Sequence, residues 1–440
     1  MEPLPSLKAV LEQLYPLHRT LVSDGTDQAL AILGSRMPLE SHFAIETYSP
    51  GTPVWTWRVP ERYVVRRAYL ESEAGERVVD FADNPLHLVS YSLPVDAILS
   101  WDELEPHLHY SAKREHAIPW EFKYYERSWG FCLSKDQYDR LPRDARYHAV
   151  IEAEFATDPA QGLRVGVGTL VAEGGTERGE MLICAHICHP RQANDDLSGV
   201  VTALEVARRL AERPLPSGSL SVRFLFCPET IGSICYLSQH EELIPRLQAG
   251  IFCEMTGNAN SLALQRSRQD VDLIDRVARR VLTERGEVFR EGAFREIVGN
   301  DEMVINGPGV GIPCISLSRW PYDEYHTSDD NPSIIAEGRL QEAADVVEAI
   351  VRIYATNYSP RRTFRGPVFL SGYGLWVDWR VNKALNRALE KIMLRLEGEH
   401  SVFDIAEDVQ LGYWEVREYI EKFRTQGLVE AMPIPPSRQA

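Results

Sequence analysis

The chain has 440 residues, 44% of them hydrophobic and 25% charged, with 47 basic against 64 acidic side chains and a formal net charge of −17. This is the composition of a folded chain of about three domains, and it excludes disordered, coiled-coil and collagen-like classes. No run reaches the ~20 apolar residues that span a bilayer, MEPLPSLKAV lacks the basic-then-apolar order of a secretory leader, and an acidic surface repels phosphate backbones. The expectation is a cytoplasmic protein with neither membrane nor nucleic-acid partners.

Between Ser6 and Arg36, apolar residues at helical spacing (Leu7, Val10, Leu11, Leu14, then Ala29, Leu30, Ile32, Leu33) flank Asp24-Gly25-Thr26, so two helices are predicted. Over 41–146 the texture changes to short aromatic and β-branched runs (VWTWRV, RYVVRRAYL, RVVDF, LHLVSYSL) parted by Pro, Gly and Asp, the pattern of an inserted β-rich domain. From 147 to 365, continuous apolar runs (MLICA, VRFLFC, GIFCEM, IPCISL) alternate with amphipathic helices such as Val200 to Leu210 and Val271 to Leu282. Buried strands interleaved with helices predict an α/β three-layer domain around a mainly parallel sheet, formed by 1–40 together with 147–365, with ligands gathered at the carboxyl ends of the strands.

The tail, 366–440, reads as a long helix (Val377 to Leu396), a short one in VFDIAEDV, a third from Tyr413 to Thr425 and a strand in LVEAMPIP, the outline of a winged helix-turn-helix. Its third helix sets Glu415, Glu418 and Glu421 against Arg417, Lys422 and Arg424, without the basic stripe of a DNA reader, so packing or self-association as a homo-oligomer is favoured over DNA. The seven cysteines are odd in number, sit mostly in apolar runs and form no CxxC pair, which predicts buried thiols without disulfides.

Each core strand ends in a residue able to hold a metal: His186 in AHICHP, with Asp195 nine residues on in ANDDLSG; Glu229 in CPETIGS; Glu254 in CEMTG; and, through a loop, His326 in EYHTSDDN. Imidazole and carboxylate donors converging on one sheet edge suit zinc with an open position, which acidifies water and polarises a carbonyl.

In that order, AHIC, QANDDLSG, PETIG, CEMTG and YHTSDD resemble the motifs of M28-type zinc aminopeptidases and, more closely, of their bacterial DUF4910/DUF2172-type relatives, which carry an inserted β domain and a C-terminal winged helix. The resemblance covers essentially the whole chain and implies an aminopeptidase-like fold, one or two Zn2+ and hydrolysis of an amide bond. It implies His186, Asp195 (bridging two metals), Glu254 and His326 as ligands, with Asp330 or Asp329 orienting His326. The family's Glu-Glu pair is here Glu229-Thr230: either Glu229 is the general base, as its Glu-x-x-Gly spacing suggests, and a single zinc remains, or it is a ligand and the base is missing. Cys188 replaces the Asp of His-x-Asp, which leaves His189 as a substitute ligand or a proton shuttle.

For the substrate, the loop SRWPYDEY offers Arg319 for a carboxylate and Tyr322 or Tyr325 for an oxyanion, Asp301 in GNDEM resembles a pocket segment of the family, and Trp120, Tyr124, Tyr125 and Trp129 are candidate cleft walls. The leading expectation is a zinc-dependent hydrolase acting on a small peptide, amino acid conjugate or biosynthetic intermediate, with Glu229 as base. The alternative is a catalytically degenerate metal-binding scaffold that uses the winged helix for interaction.

Overall fold

Strands that are apolar on both faces need cover on both, and the chain supplies it. The computed structural model describes residues 5–434 apart from 174, 176 and 177, so the extreme ends of the expected first and last domains, 1–4 and 435–440, lie outside the described residues. Its core is an eight-stranded sheet that runs, edge to edge, Ala44–Tyr48, Leu163–Leu170, Ser221–Cys227, Glu180–His186, Leu247–Cys253, Cys314–Ser318, Ala263–Gln265 and Arg290–Gly292. The four middle strands are parallel to one another, while three pairings nearer the edges are antiparallel, so the sheet is mixed.

Alternate residues of the Glu180–His186 strand serve opposite layers. Met181, Ile183 and Ala185 join helices Leu7–Leu14, Asp24–Gly34, Gly199–Glu212, Leu273–Arg285 and Glu337–Thr356 in one apolar cluster. Leu182 and Cys184 join helix Ile231–Gln239 and the smaller β module in another. The period-2 exposure of side chains thus becomes two cores separated by one sheet.

The smaller module is a four-stranded antiparallel sheet in the order Arg77–Asp80, Arg62–Ser72, Arg146–Ala156, Val95–Ser100. Its limits differ from 41–146 at both ends. Ala44–Tyr48 pairs with the central sheet, whereas Arg146–Ala156 belongs to the small one. Strand pairing, which no local pattern encodes, decides this.

At the C-terminal end stand helices Lys383–Met393, Val402–Val409 and Tyr413–Thr425 and the strand Val429–Met432, which pairs antiparallel with Ser359–Arg362. The first helix is shorter than the expected Val377 to Leu396, because Asn382 caps it by accepting from Leu385 N–H. Leu385, Leu389, Ile405, Val416, Ile420 and Phe423 continue the main apolar cluster, and Arg276 bonds to Asp404 and Glu407 across the contact. On the third helix Lys422 pairs with Glu418 and Arg424 with Glu421. All seven cysteines are buried and free, and among the described residues no helix is long and apolar enough to cross a membrane.

Candidate metal centre

The carboxyl ends of the parallel strands bring the titratable residues together. His186 ends one strand, and Glu229 and Glu254 follow the ends of its two neighbours. Asp195 lies in the wide turn Ala193–Ser198, where its φ of −103° and ψ of 92° break helical geometry and turn the carboxylate toward His186. Gly199 lets the start of the following helix lie against the end of the neighbouring strand, since a Cβ there would meet the Cys253 carbonyl oxygen at 2.1 Å. His326, Thr230, Arg191 and Met255 have φ of 54°, 61°, 53° and 48°. These are left-handed values rare outside glycine, and each lies within two positions of a site residue, as expected where surrounding structure enforces strain.

Asp195 is the hub. Its Oδ1 lies 3.0 Å from His186 Nε2 and 3.1 Å from His189 Nδ1, and its Oδ2 lies 3.1 Å from His326 Nε2. His189 Nε2 reaches Glu229 Oε2 at 3.0 Å, and Glu254 Oε2 stands 3.8 Å from His186 Nε2 with its other oxygen buried and unpartnered. Donors around tetrahedral zinc are spaced about 3.3 Å apart when bonds are near 2.0–2.1 Å. The His186, His189 and Asp195 ligand atoms, all within 4.8 Å of one another, therefore fit such an ion.

The charges fit as well. Burial would raise the Asp195 carboxyl, but His189 and hydrogen bonds from His186, His189 and His326 hold it well below its usual range. Burial pulls His189 down, yet Asp195, with Cys188, carries it well above the usual imidazole value. Burial, with Asp195, Glu302 and Glu229 nearby, pushes Glu254 well above the carboxylate range, and a divalent cation would reverse that repulsion. Glu229, raised by burial, is brought below its ordinary value by His189, and its side chain keeps 23% exposure. Burial lifts the Cys188 thiol to about 11 and that of Cys184 to about 12, so neither is a ready thiolate ligand.

The surrounding shell is built from distant segments. Asp330 accepts N–H from Ala193, Asn194 and Asp195 at 3.1, 2.6 and 3.0 Å, so it holds the Asp195 turn rather than orienting His326, while Asp329 pairs with Arg114. Arg19, from the N-terminal segment, donates to Asp196 at 2.5 Å and to the carbonyls of Ile187 and Gln192, and Asp196 accepts His189 N–H at 2.9 Å. Asn300 donates to Glu254 at 2.5 Å. Lone residues such as Arg19 and Asn300 carry no local signal of this role.

The residues expected at the substrate divide. Tyr325 stacks on His326, ring centroids 3.8 Å apart, and stays beside the cluster. Tyr322 is buried and donates its hydroxyl to Asp330 at 2.6 Å, so that donor is already engaged. Arg319 is wholly buried, its guanidinium donating to the carbonyls of Thr256 and Asn260 and to Glu342, and no arm remains for a substrate carboxylate. Asp301 is buried behind His186, where it accepts from Thr230 N–H and the Ser233 hydroxyl, and does not line an open pocket. Of the module's aromatics, Trp120 packs its ring 4.3 Å from His189 and 4.6 Å from His326, and its backbone N–H donates to the His326 carbonyl at 2.8 Å. Trp129 instead stacks on His107, and Tyr125 donates to Arg58 O.

Residues 8–357 match the family model described as a domain of unknown function, DUF4910. The chain is 33% identical over 324 residues, 73% of its length and 71% of the relative's, to a Clostridium acetobutylicum protein provisionally named a polysaccharide biosynthesis protein with an aminopeptidase-like domain. A crystal structure from Clostridium acetobutylicum, provisionally described as a peptidase, superposes with a TM-score of 0.83 at 27% identity, covering 97% of this chain and 96% of that one. The zinc aminopeptidase BSAP of Bacillus subtilis shares the fold at a TM-score of 0.59 and 17% identity over 80% and 95% of the two chains. A peptidase M28 precursor from Shewanella amazonensis does so at 0.56 and 13% over 79% and 92%. The central sheet, its strand-end cluster and these likenesses together place the chain in the DUF4910 family, with the aminopeptidase-like fold of M28 peptidases and buried groups that can hold a metal ion.

Proposed function

We propose that this protein is a zinc-dependent hydrolase that cleaves an amide bond next to an amino-terminal residue, in a small peptide or amino acid conjugate. The observation that carries the reading is the placement of Glu229, ionised and partly open, 3.0 Å from a histidine that itself touches the Asp195 hub. His186, Asp195, Glu254 and His326 would hold the ion, with His189 either a further ligand or the link between Asp195 and Glu229. Zinc supplies Lewis acidity there, lowering the pKa of water and polarising the scissile carbonyl. Glu229 takes one proton from the attacking water as its oxygen bonds to the carbonyl carbon. The same carboxyl then gives that proton to the leaving nitrogen as the C–N bond breaks, yielding a carboxylic acid and an amine. Tyr325, beside His326, offers a hydroxyl to the carbonyl oxygen. The names of the solved relatives, peptidase and zinc aminopeptidase, support the choice of bond.

The test is a panel of aminoacyl amides and dipeptides with the purified full chain, with zinc per chain measured alongside. Wild-type protein is expected to lose turnover on chelation and regain it with Zn2+. Glu229→Gln is expected to keep its fold and its zinc while turnover drops about 10²–10⁴-fold. Turnover that survives complete metal removal, or a Glu229→Gln protein as active as wild type, refutes the mechanism.

A further inference from the structure

On the side of His186 away from the hub, two polar atoms face each other unsatisfied. His186 Nδ1 and Asp301 Oδ2 are buried without a hydrogen-bond partner and stand 3.7 Å apart, both side chains wholly inaccessible. Each is costly to bury alone, and together they are compatible when a single proton lies between them. Asp301 is not free to turn elsewhere. Its Oδ1 accepts Thr230 N–H at 3.0 Å and the Ser233 hydroxyl at 2.5 Å, which aims Oδ2 at the imidazole. Thr230 follows Glu229, so one carboxylate joins the back of His186 to the turn that carries the proposed base. Cys188, two residues from His186, does not compete for the ring, because its Sγ accepts Glu229 N–H at 3.2 Å.

We infer that Asp301 is the positioning residue of His186, accepting the Nδ1 proton and so fixing the tautomer that leaves Nε2 free for a metal. The ring orientation agrees: Nε2 is the nitrogen that faces Asp195 at 3.0 Å and Glu254 at 3.8 Å, while Nδ1 looks away toward Asp301. A proton confined to Nδ1 keeps the Nε2 lone pair available, and a carboxylate behind it raises that nitrogen's basicity. Across the 3.7 Å gap neither atom has another hydrogen-bond partner. This role extends the proposed function, since it requires His186 to be a ligand, but it makes no claim about the substrate.

Two measurements on the full-length chain test it. Zinc affinity is read by competition with a chromophoric chelator for wild type, Asp301→Asn and Ser233→Ala. Asp301→Asn should bind zinc 10–100-fold more weakly, because the amide must set either its NH2 against Thr230 N–H or its NH2 against Nδ1–H. Ser233→Ala, which removes one of the two donors that aim Oδ2 while Thr230 N–H still holds Oδ1, should weaken binding less than Asp301→Asn does. Independently of any Asp301 variant, nitrogen NMR of the zinc-loaded wild type, with His186 assigned by substitution, should show a slowly exchanging, downfield Nδ1–H on His186. Asp301→Asn affinity within threefold of wild type overturns the assignment while leaving the hydrolase reading intact, whereas a His186 protonated on Nε2 in the zinc-loaded protein overturns the assignment together with His186 as a ligand through that nitrogen. A wild-type chain that binds no zinc overturns both.

Discussion

Replacing Arg19 by methionine isolates the ion pair that anchors the loop between His186 and Asp195. Arg19 and Asp196 are both wholly buried, 2.5 Å apart, and the guanidinium also serves the carbonyls of Ile187 and Gln192 at 3.3 and 3.2 Å. Methionine keeps much of the aliphatic stem and removes the charge, leaving the Asp196 carboxylate, among the described residues, with the His189 N–H at 2.9 Å. Breaking one partner of a buried pair costs about 3–5 kcal/mol, most of it from the stranded charge. That is a large share of a typical stability of about 5–15 kcal/mol. Arg19→Met/Asp196→Asn, which strands no charge, should therefore be more stable than Arg19→Met alone. Urea unfolding followed by tryptophan fluorescence, on wild type, both single variants and the double variant, gives the coupling directly. A loss below about 1 kcal/mol for Arg19→Met, or a double variant no more stable than that single one, would refute the reasoning.

Two further outcomes follow from the shell around the site. Trp120→Ala removes the ring packed 4.3 Å from His189 and 4.6 Å from His326; it should cost about 3–5 kcal/mol in urea unfolding and weaken zinc retention, and unchanged zinc affinity would show that the ring does not steady the histidines. His18 is lowered to about 4 by burial and by Arg19. Its folded value lies below its unfolded one of about 6.5, so its contribution to stability is complete above pH 6.5 and is lost as pH falls from there through 4. After allowance for partial exposure the loss is about 2 kcal/mol, and pH-dependent unfolding of His18→Gln should lack that part of the acid limb.

The alternation of apolar runs with amphipathic helices was enough to predict the α/β layers, because strands buried on both faces have no polar alternate positions, and the structure shows Glu180–His186 buried throughout. The candidate ligands were legible for a related reason. His186, Glu229 and Glu254 stand where an apolar run stops, and a parallel sheet brings successive strand ends to one edge. Arg319 and Tyr322 show the limit of that reading. Their side chains suit a substrate, but their partners, Glu342 and Asp330, come from a helix and a loop whose approach no local pattern records.

The amino-acid order by itself determined which segments become strands and helices and which imidazole and carboxylate residues lie at their ends, since burial periodicity and chain punctuation are local properties. Only the tertiary structure decided that Ala44–Tyr48 joins the central sheet, that Trp120 of the smaller module walls two histidines, and that Arg19, Asp330 and Asp301 support the cluster. Those are contacts between segments tens to hundreds of residues apart, set by which buried charges and donors find partners when the layers close.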